Sequence, residues 1–239
     1  MRLLAVETST LTGAVALLES GRVVAESRVS VAITHGERLM GAIDAVLRSA
    51  RWTLADAEAF AVALGPGSFT GLRIGLSTVK GLAFATGKPV VGVPTLDALA
   101  WRLPFCAYPV CPVLDARKNE VYTALYRTRD GQLALLEAAR AVAPETLAEE
   151  LRTTIEEPVV FLGDGVAPFA RVLTETLGAR ALLAPADLRL PSAATVGELG
   201  GWALARGETA DAAALVPLYL RPSEAELARE RRQAVGRSD

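Results

Sequence analysis

The sequence predicts an α/β protein built on mixed sheets. Two observations carry that prediction: apolar runs of strand length alternate with segments of helical period, and the chain opens on consecutive strands joined by turns rather than by a helix. A third observation divides the chain in two. The order strand, polar loop, strand at residues 3–18 recurs at residues 110–127, without detectable sequence identity between the copies.

Residues 3–6 and 14–18 are apolar runs around the polar loop 7–13, and Ser20-Gly21 turns the chain into a third strand over 22–28. Thr34 and Glu37 have the spacing of a capping box, and Leu39, Ile43, Val46, Leu47 and Ala50 then repeat at helical spacing, predicting an amphipathic helix over 36–50. A short strand over 60–64 feeds the segment Gly65-Pro66-Gly67-Ser68-Phe69-Thr70-Gly71, followed by a helix over 72–86 that Gly87 can end. A strand over 89–93 and a short helix over 95–103 follow, and Pro104, Pro109 and Pro112 place a domain boundary near residues 104–110. Beyond it the pattern gives strands over 110–114 and 120–127, a turn at Asp130-Gly131, an apolar stretch through Leu136, a helix over 144–154, a strand over 159–162, helices over 167–177 and 192–206, and a last apolar element over 215–220. The predicted organisation is a first domain over 1–105, a second over 106–222 whose last segment can pack back on the first, and a frayed tail over 223–239.

Composition bounds the function. With 51% hydrophobic and 22% charged residues in 239, the chain is neither disordered nor fibrous, and 25 basic against 27 acidic side chains give no general electrostatic footprint for a polyanion, although local RNA contact stays open. Only three of the basic residues are lysines, Lys80, Lys88 and Lys118, and alanine is abundant throughout, which reads as coding bias. Cys106 and Cys111 are neither a disulfide framework nor a Cys-x-x-Cys pair. Glu7 interrupts the N-terminal apolar run before a signal-peptide core can form, and no uncharged run reaches membrane-spanning length, so a cytoplasmic protein without a membrane partner is expected.

Four segments carry candidate chemistry. Glu7-Thr8-Ser9-Thr10 can present hydroxyls and amides to a phosphate, with a carboxylate to orient a metal-bound water, or can simply cap a turn. The segment from Gly65 to Gly75 is neither a Walker loop nor a Rossmann fingerprint; it can bring backbone close to an anion at a helix N-terminus, or Gly71 and Gly75, sharing a helix face, can admit another helix. Asp115-Ala116-Arg117 suits a phosphate-facing loop, an interface salt bridge or a solvated connection, and Gly163-Asp164-Gly165 suits a pocket or an ordinary strand-to-helix turn. His35 is the single histidine, which excludes every two-histidine metal motif and reads better as a helix-start polar residue than as a general base; no Gly-x-Ser-x-Gly elbow is present, a carboxylate-only hydrolase stays open although no spacing pairs its acids, and no catalytic residue and no metal ligand is assigned.

Taken together, Leu4 to Ser9, the helix from His35 to Leu47, the run Gly65 to Gly75, and Val113 to Arg117 with Glu120-Val121-Tyr122 resemble the bacterial TsaB family, also called YeaZ. The resemblance runs in order from residue 2 to about 127 and continues more loosely through Leu162 to Gly165, Ser192 to Leu204 and Leu215 to Arg221. It implies a two-lobed actin-like ATPase or sugar-kinase fold, with mixed sheets and flanking helices. It also implies a non-catalytic partner of TsaD, the subunit that transfers a threonylcarbamoyl group from its adenylate to N6 of the adenosine beside the anticodon, in tRNAs reading codons that begin with A. TsaE is implied as a further partner, a homodimer as the isolated state, and tRNA as reached through the complex. No intrinsic cofactor is implied; ATP, the adenylate donor and a metal belong to the partner subunits, since TsaD-like catalysis needs a histidine pair and this chain has only His35. By the same resemblance Leu39, Ile43, Val46, Leu47, Gly71, Arg73 and Gly75 are the expected partner interface, with part of the Leu39 to Leu47 stripe facing the protein's own core, and Glu7, Thr8, Ser9, Asp115, Arg117, Gly163 and Asp164 are the remains of a nucleotide pocket. The alternative is an actin-like nucleotide hydrolase or kinase acting alone, with ATP between Glu7 to Ser9 and Asp115 to Arg117.

Overall fold

The computed structural model describes residues 1–30, 35–129 and 131–221. The expectations placed on Thr34 with Glu37, on the Asp130 turn and on residues 223–239 lie outside the described residues. Among the described residues no helix is long and apolar enough to cross a membrane.

Two five-stranded sheets are built on one plan. In the first, β1 (Arg2–Glu7), β2 (Thr12–Glu19) and β3 (Arg22–Ser30) form the antiparallel meander read from the sequence, and β4 (Ala59–Gly65) and β5 (Val90–Pro94) add parallel to β1, giving the order β3-β2-β1-β4-β5. The second sheet repeats it with β6 (Val110–Arg117), β7 (Glu120–Arg129), β8 (Gln132–Val142), β9 (Val159–Leu162) and β10 (Ala181–Leu183), in the order β10-β9-β6-β7-β8 with the same directions. Helices α1 (His35–Ala50), α2 (Phe69–Thr86) and α3 (Thr95–Ala100) belong to the first half, and α4 (Pro144–Thr154), α5 (Val166–Leu177) and α6 (Ala193–Ala205) to the second. The three-residue β10 carries no readable period, and α3 stops short of the expected residue 103 because the chain turns at Trp101 towards the second sheet.

The first sheet is covered on both faces, and its strands alternate large with small residues accordingly. Leu4, Val6, Val15, Leu17, Phe60 and Val62 meet α1 and α2, whereas Ala5, Ala14, Ala16, Ala59, Ala61 and Ala63 meet α6. On that second face α6 lies so close that a Cβ on Gly200 would fall 2.7 Å from the Ala61 methyl and one on Gly197 3.1 Å from that of Ala5. Part of the alanine read as coding bias therefore has a packing role. It follows that residues 106–222 do not form one spatial unit: the second lobe's own elements end by Leu188, and α6 completes the first lobe. Helix α3 is the joint, with Ala98 in the first lobe's core and Leu96, Leu99 and Ala100 packed with Val110, Leu114 and Tyr126 of the second.

The apolar stripe of α1 turns inward. Leu39, Ile43, Val46 and Leu47 are 5%, 2%, 3% and 8% exposed and join the core under the first sheet. This corrects the expectation that these four side chains make the partner interface, because a helix on a sheet must bury its apolar stripe there first. Replacing Ile43 with Ala should lower the unfolding free energy by about 2–5 kcal/mol, measured by urea denaturation; a variant as stable as the parent would place Ile43 outside the core.

Candidate functional site

The first wall of the site is the loop leaving β1. Glu7, Thr8 and Ser9 are all buried, and the Ser9 backbone N–H donates to Glu7 Oε1. Glu7 Oε2 and Thr8 Oγ1 have no hydrogen-bond partner among the described residues. Burial pushes the Glu7 carboxyl up to about 7, hydrogen bonding from Ser9 draws it part of the way back, and the nearby Asp164 charge raises it further.

Three glycines mould the chain around this loop. A Cβ on Gly67 would lie 2.3 Å from the Ser9 carbonyl oxygen, one on Gly71 2.1 Å from that of Thr8, and one on Gly75 2.1 Å from Thr8 Oγ1. What the Gly71/Gly75 face admits is therefore the protein's own β1–β2 loop rather than another helix, which corrects the expectation that both glycines contact a partner. Two amides of the glycine segment are engaged as well: the Ser68 N–H donates to the Ser9 carbonyl at 2.6 Å, and the Gly71 N–H to the Ser68 hydroxyl, which caps α2, at 3.3 Å.

The opposite wall comes from the second lobe. Asp164 Oδ1 accepts the Asp115 N–H at 3.0 Å, and Asp115 in turn accepts the Arg117 N–H at 2.8 Å and pairs with its guanidinium at 3.2 Å. Burial raises the Asp164 carboxyl above the usual range. Gly163 supplies the close approach here, since a Cβ on it would lie 2.1 Å from the Val113 carbonyl oxygen. Between the walls is a cleft of about 740 Å³, lined by Ser9, Ser68, Asp115, Arg117 and Asp164 among others. The structure thus assembles the candidates Ser9, Asp115, Arg117 and Asp164 around one space, with Glu7, Thr8 and Gly163 immediately behind it.

Sequence reasoning missed the residues that close the mouth. Tyr219 stacks on Phe69 with ring centroids 4.7 Å apart, and the Arg73 guanidinium lies 3.9 Å from the Phe69 centroid while its Nε donates to Tyr219 Oη at 2.9 Å. Arg221 pairs with Glu120. Tyr219 and Arg221 lie in the apolar element 215–220 and just past it, a stretch whose composition offered no chemistry to read. Cys111 takes no part: burial pushes its thiol up to about 12, as expected of an inert core cysteine. No cluster of three His, Cys, Asp or Glu side chains suited to a metal occurs among the described residues.

Comparison with known proteins adds to this geometry. The family model described as TsaD: tRNA N6-adenosine threonylcarbamoyltransferase matches residues 24–229. A Bacillus subtilis protein named tRNA threonylcarbamoyladenosine biosynthesis protein TsaB is 33% identical over 226 residues, covering 95% of this chain and 96% of that one. The chain belongs to the TsaB family. Within it, the solved structure of YeaZ from Pseudomonas aeruginosa superimposes with a TM-score of 0.76 at 32% identity, over 92% of this chain and 99% of that chain. A more distant structure, component A of the Acidaminococcus fermentans (R)-2-hydroxyglutaryl-CoA dehydratase, shares the fold alone, with a TM-score of 0.52 at 13% identity over 86% of this chain and 99% of that one.

Two outcomes follow for this TsaB-family site. Because the Glu7 carboxyl holds its proton up to about pH 7 when folded and releases it near the ordinary value of 4.5 when unfolded, stability should fall as pH rises between those values, by roughly 3 kcal/mol, and level off above. Glu7→Gln should flatten that part of the curve, as measured by denaturation across pH. Gly71→Ala should cost about 1–3 kcal/mol by overpacking against Thr8; an unchanged melting midpoint would show that the loop yields freely.

Proposed function

We propose that this protein is a non-catalytic subunit in the formation of threonylcarbamoyladenosine on tRNA. In this reading it supports a TsaD subunit that transfers the threonylcarbamoyl group to N6 of the adenosine beside the anticodon, in tRNAs reading codons that begin with A. The observation that carries this reading is full-length similarity to proteins named for that biosynthesis, at 33% identity over 95% of the chain. The duplicated sheet order and the distant structural likeness favour an actin-like ATPase or sugar-kinase ancestry. The interior of the cleft argues against phosphoryl chemistry by the chain alone: the Ser68 and Gly71 amides are already bonded internally, and two buried carboxyls, Asp164 in the cleft wall and Glu7 behind it, repel a phosphate when ionised.

Partner pairing in this reading uses the outer faces of α1 and α2 rather than the buried stripe. Phe84 is 92% exposed and Met40 49%, Arg73 is exposed on the same helix as Phe84, and Cβ atoms on Gly41 and Gly81 would meet only open space, so a partner helix could approach closely. TsaE joins the assembly in this reading, and tRNA is reached through it.

The test is reconstitution on unmodified tRNA with TsaD, TsaE, ATP and the threonylcarbamoyl adenylate, with this chain present, absent or alone. Product should require both TsaD and this chain, and none should form with this chain alone; equal product without it would reject the role. Phe84→Asp should weaken TsaD binding by about tenfold or more while leaving the folded far-ultraviolet spectrum intact, and unchanged affinity would remove the α2 face from the interface.

A further inference from the structure

The two lobes are joined covalently on one side only. The chain crosses between the sheets at residues 101–109 and returns at 189–192. Arg102 fastens these crossings together, its Nη1 donating to the Leu190 carbonyl at 2.9 Å and its Nη2 to that of Asp187 at 3.0 Å. This arrangement has the form of a hinge.

On the cleft side the connection runs through the C-terminal strap. Its first part is bound to the first lobe throughout. The Ala210 N–H donates to the Val90 carbonyl at 3.1 Å, Lys80 Nζ to that of Ala213 at 3.0 Å and the Leu218 N–H to that of Leu64 at 2.7 Å, while Leu215 enters the first lobe's core. Tyr219 is held in the stack with Phe69 and Arg73. Two residues later the strap reaches the second lobe: Arg221 pairs with Glu120 on β7 and donates to the Ala116 carbonyl on β6 at 3.3 Å, touching both arms of one hairpin.

That hairpin is tightly turned. It turns through Arg117, Lys118 and Asn119 at φ of 63°, 53° and 57°, three consecutive non-glycine residues in the left-handed region.

We propose that the strap is a clasp: Arg221, anchored on the first lobe through Tyr219 and gripping the β6–β7 hairpin of the second, holds the cleft at its observed width, and its release lets the lobes swing about the hinge fastened by Arg102. The cleft then has two states, clasped and open, and the contacts of the half-buried Arg221 guanidinium distinguish them.

The test uses the full-length protein with Arg221→Ala and, from the other side of the pair, Glu120→Gln, read by hydrogen–deuterium exchange at two places. One is the hairpin, residues 115–120, to which Arg221 is bonded; the other is the opposing wall, residues 7–11, with which Arg221 makes no hydrogen bond or ion pair among those described. A clasp predicts exchange faster by about tenfold at both places, with recovery in the charge-reversed double variant Glu120→Arg, Arg221→Glu. Acceleration confined to the hairpin, or absent from both variants, overturns the clasp. So does acceleration spread evenly over the strands of both lobes, the mark of a general loss of stability.

Discussion

The contact between Thr8 and the glycine face of α2 sets the geometry of the first lobe. Gly71 and Gly75 lie one helical turn apart, and the space their missing side chains leave is filled by the Thr8 carbonyl and hydroxyl. Because Thr8 directly follows the central strand, this contact fixes the helix N-terminus against the strand exit and thereby places Ser9 and Ser68 in the cleft wall. The second lobe solves the same problem with Gly163 against Val113. Each lobe thus uses a glycine beyond its fourth strand to bring the chain hard against its first, and the two walls of the cleft are variations of one device.

That device explains which parts of the molecule were legible in the sequence. The meander, α1, α4 and β9 were readable because each has a period and punctuation of its own: Ser20-Gly21 for the turn, the Leu39 to Ala50 stripe, Pro144 at a helix start, the run Val159 to Leu162. The glycine segment was recognisable as a close approach, yet nothing in it said what would approach. A glycine records that space is needed and says nothing of the occupant, so an anion and another helix stood as equal readings, and the protein's own loop, the actual occupant, was not among them. The stripe of α1 failed for a related reason, since amphipathic spacing identifies a buried face without saying whether the protein or a partner buries it.

The cleft residues show the same limit from the other direction. Asp115 and Arg117 stood out as charged residues at a strand end, and they do line the cleft, but each is bonded mainly to the other. Tyr219 and Arg221 did not stand out, because their importance lies in partners 146 and 105 residues earlier in the chain. Long-range contacts of single polar groups leave no periodic trace, which is why the closing of the mouth could be seen only in three dimensions.

The return of α6 to the first sheet bears on how the molecule is made. Ala5, Ala16 and Ala61 lie within the first 61 residues, but the helix that covers them is complete only at Ala205. On a ribosome the first lobe therefore emerges with one face of its sheet bare, and the whole second sheet is synthesised before the cover arrives. The second lobe, contiguous from Val110 to Leu188, can complete its core first, as an insertion within an unfinished one. The alanines on the waiting face expose less apolar surface than the leucines and valines of the opposite face would, so the residues that let α6 pack closely in the finished protein also reduce what the unfinished one leaves bare.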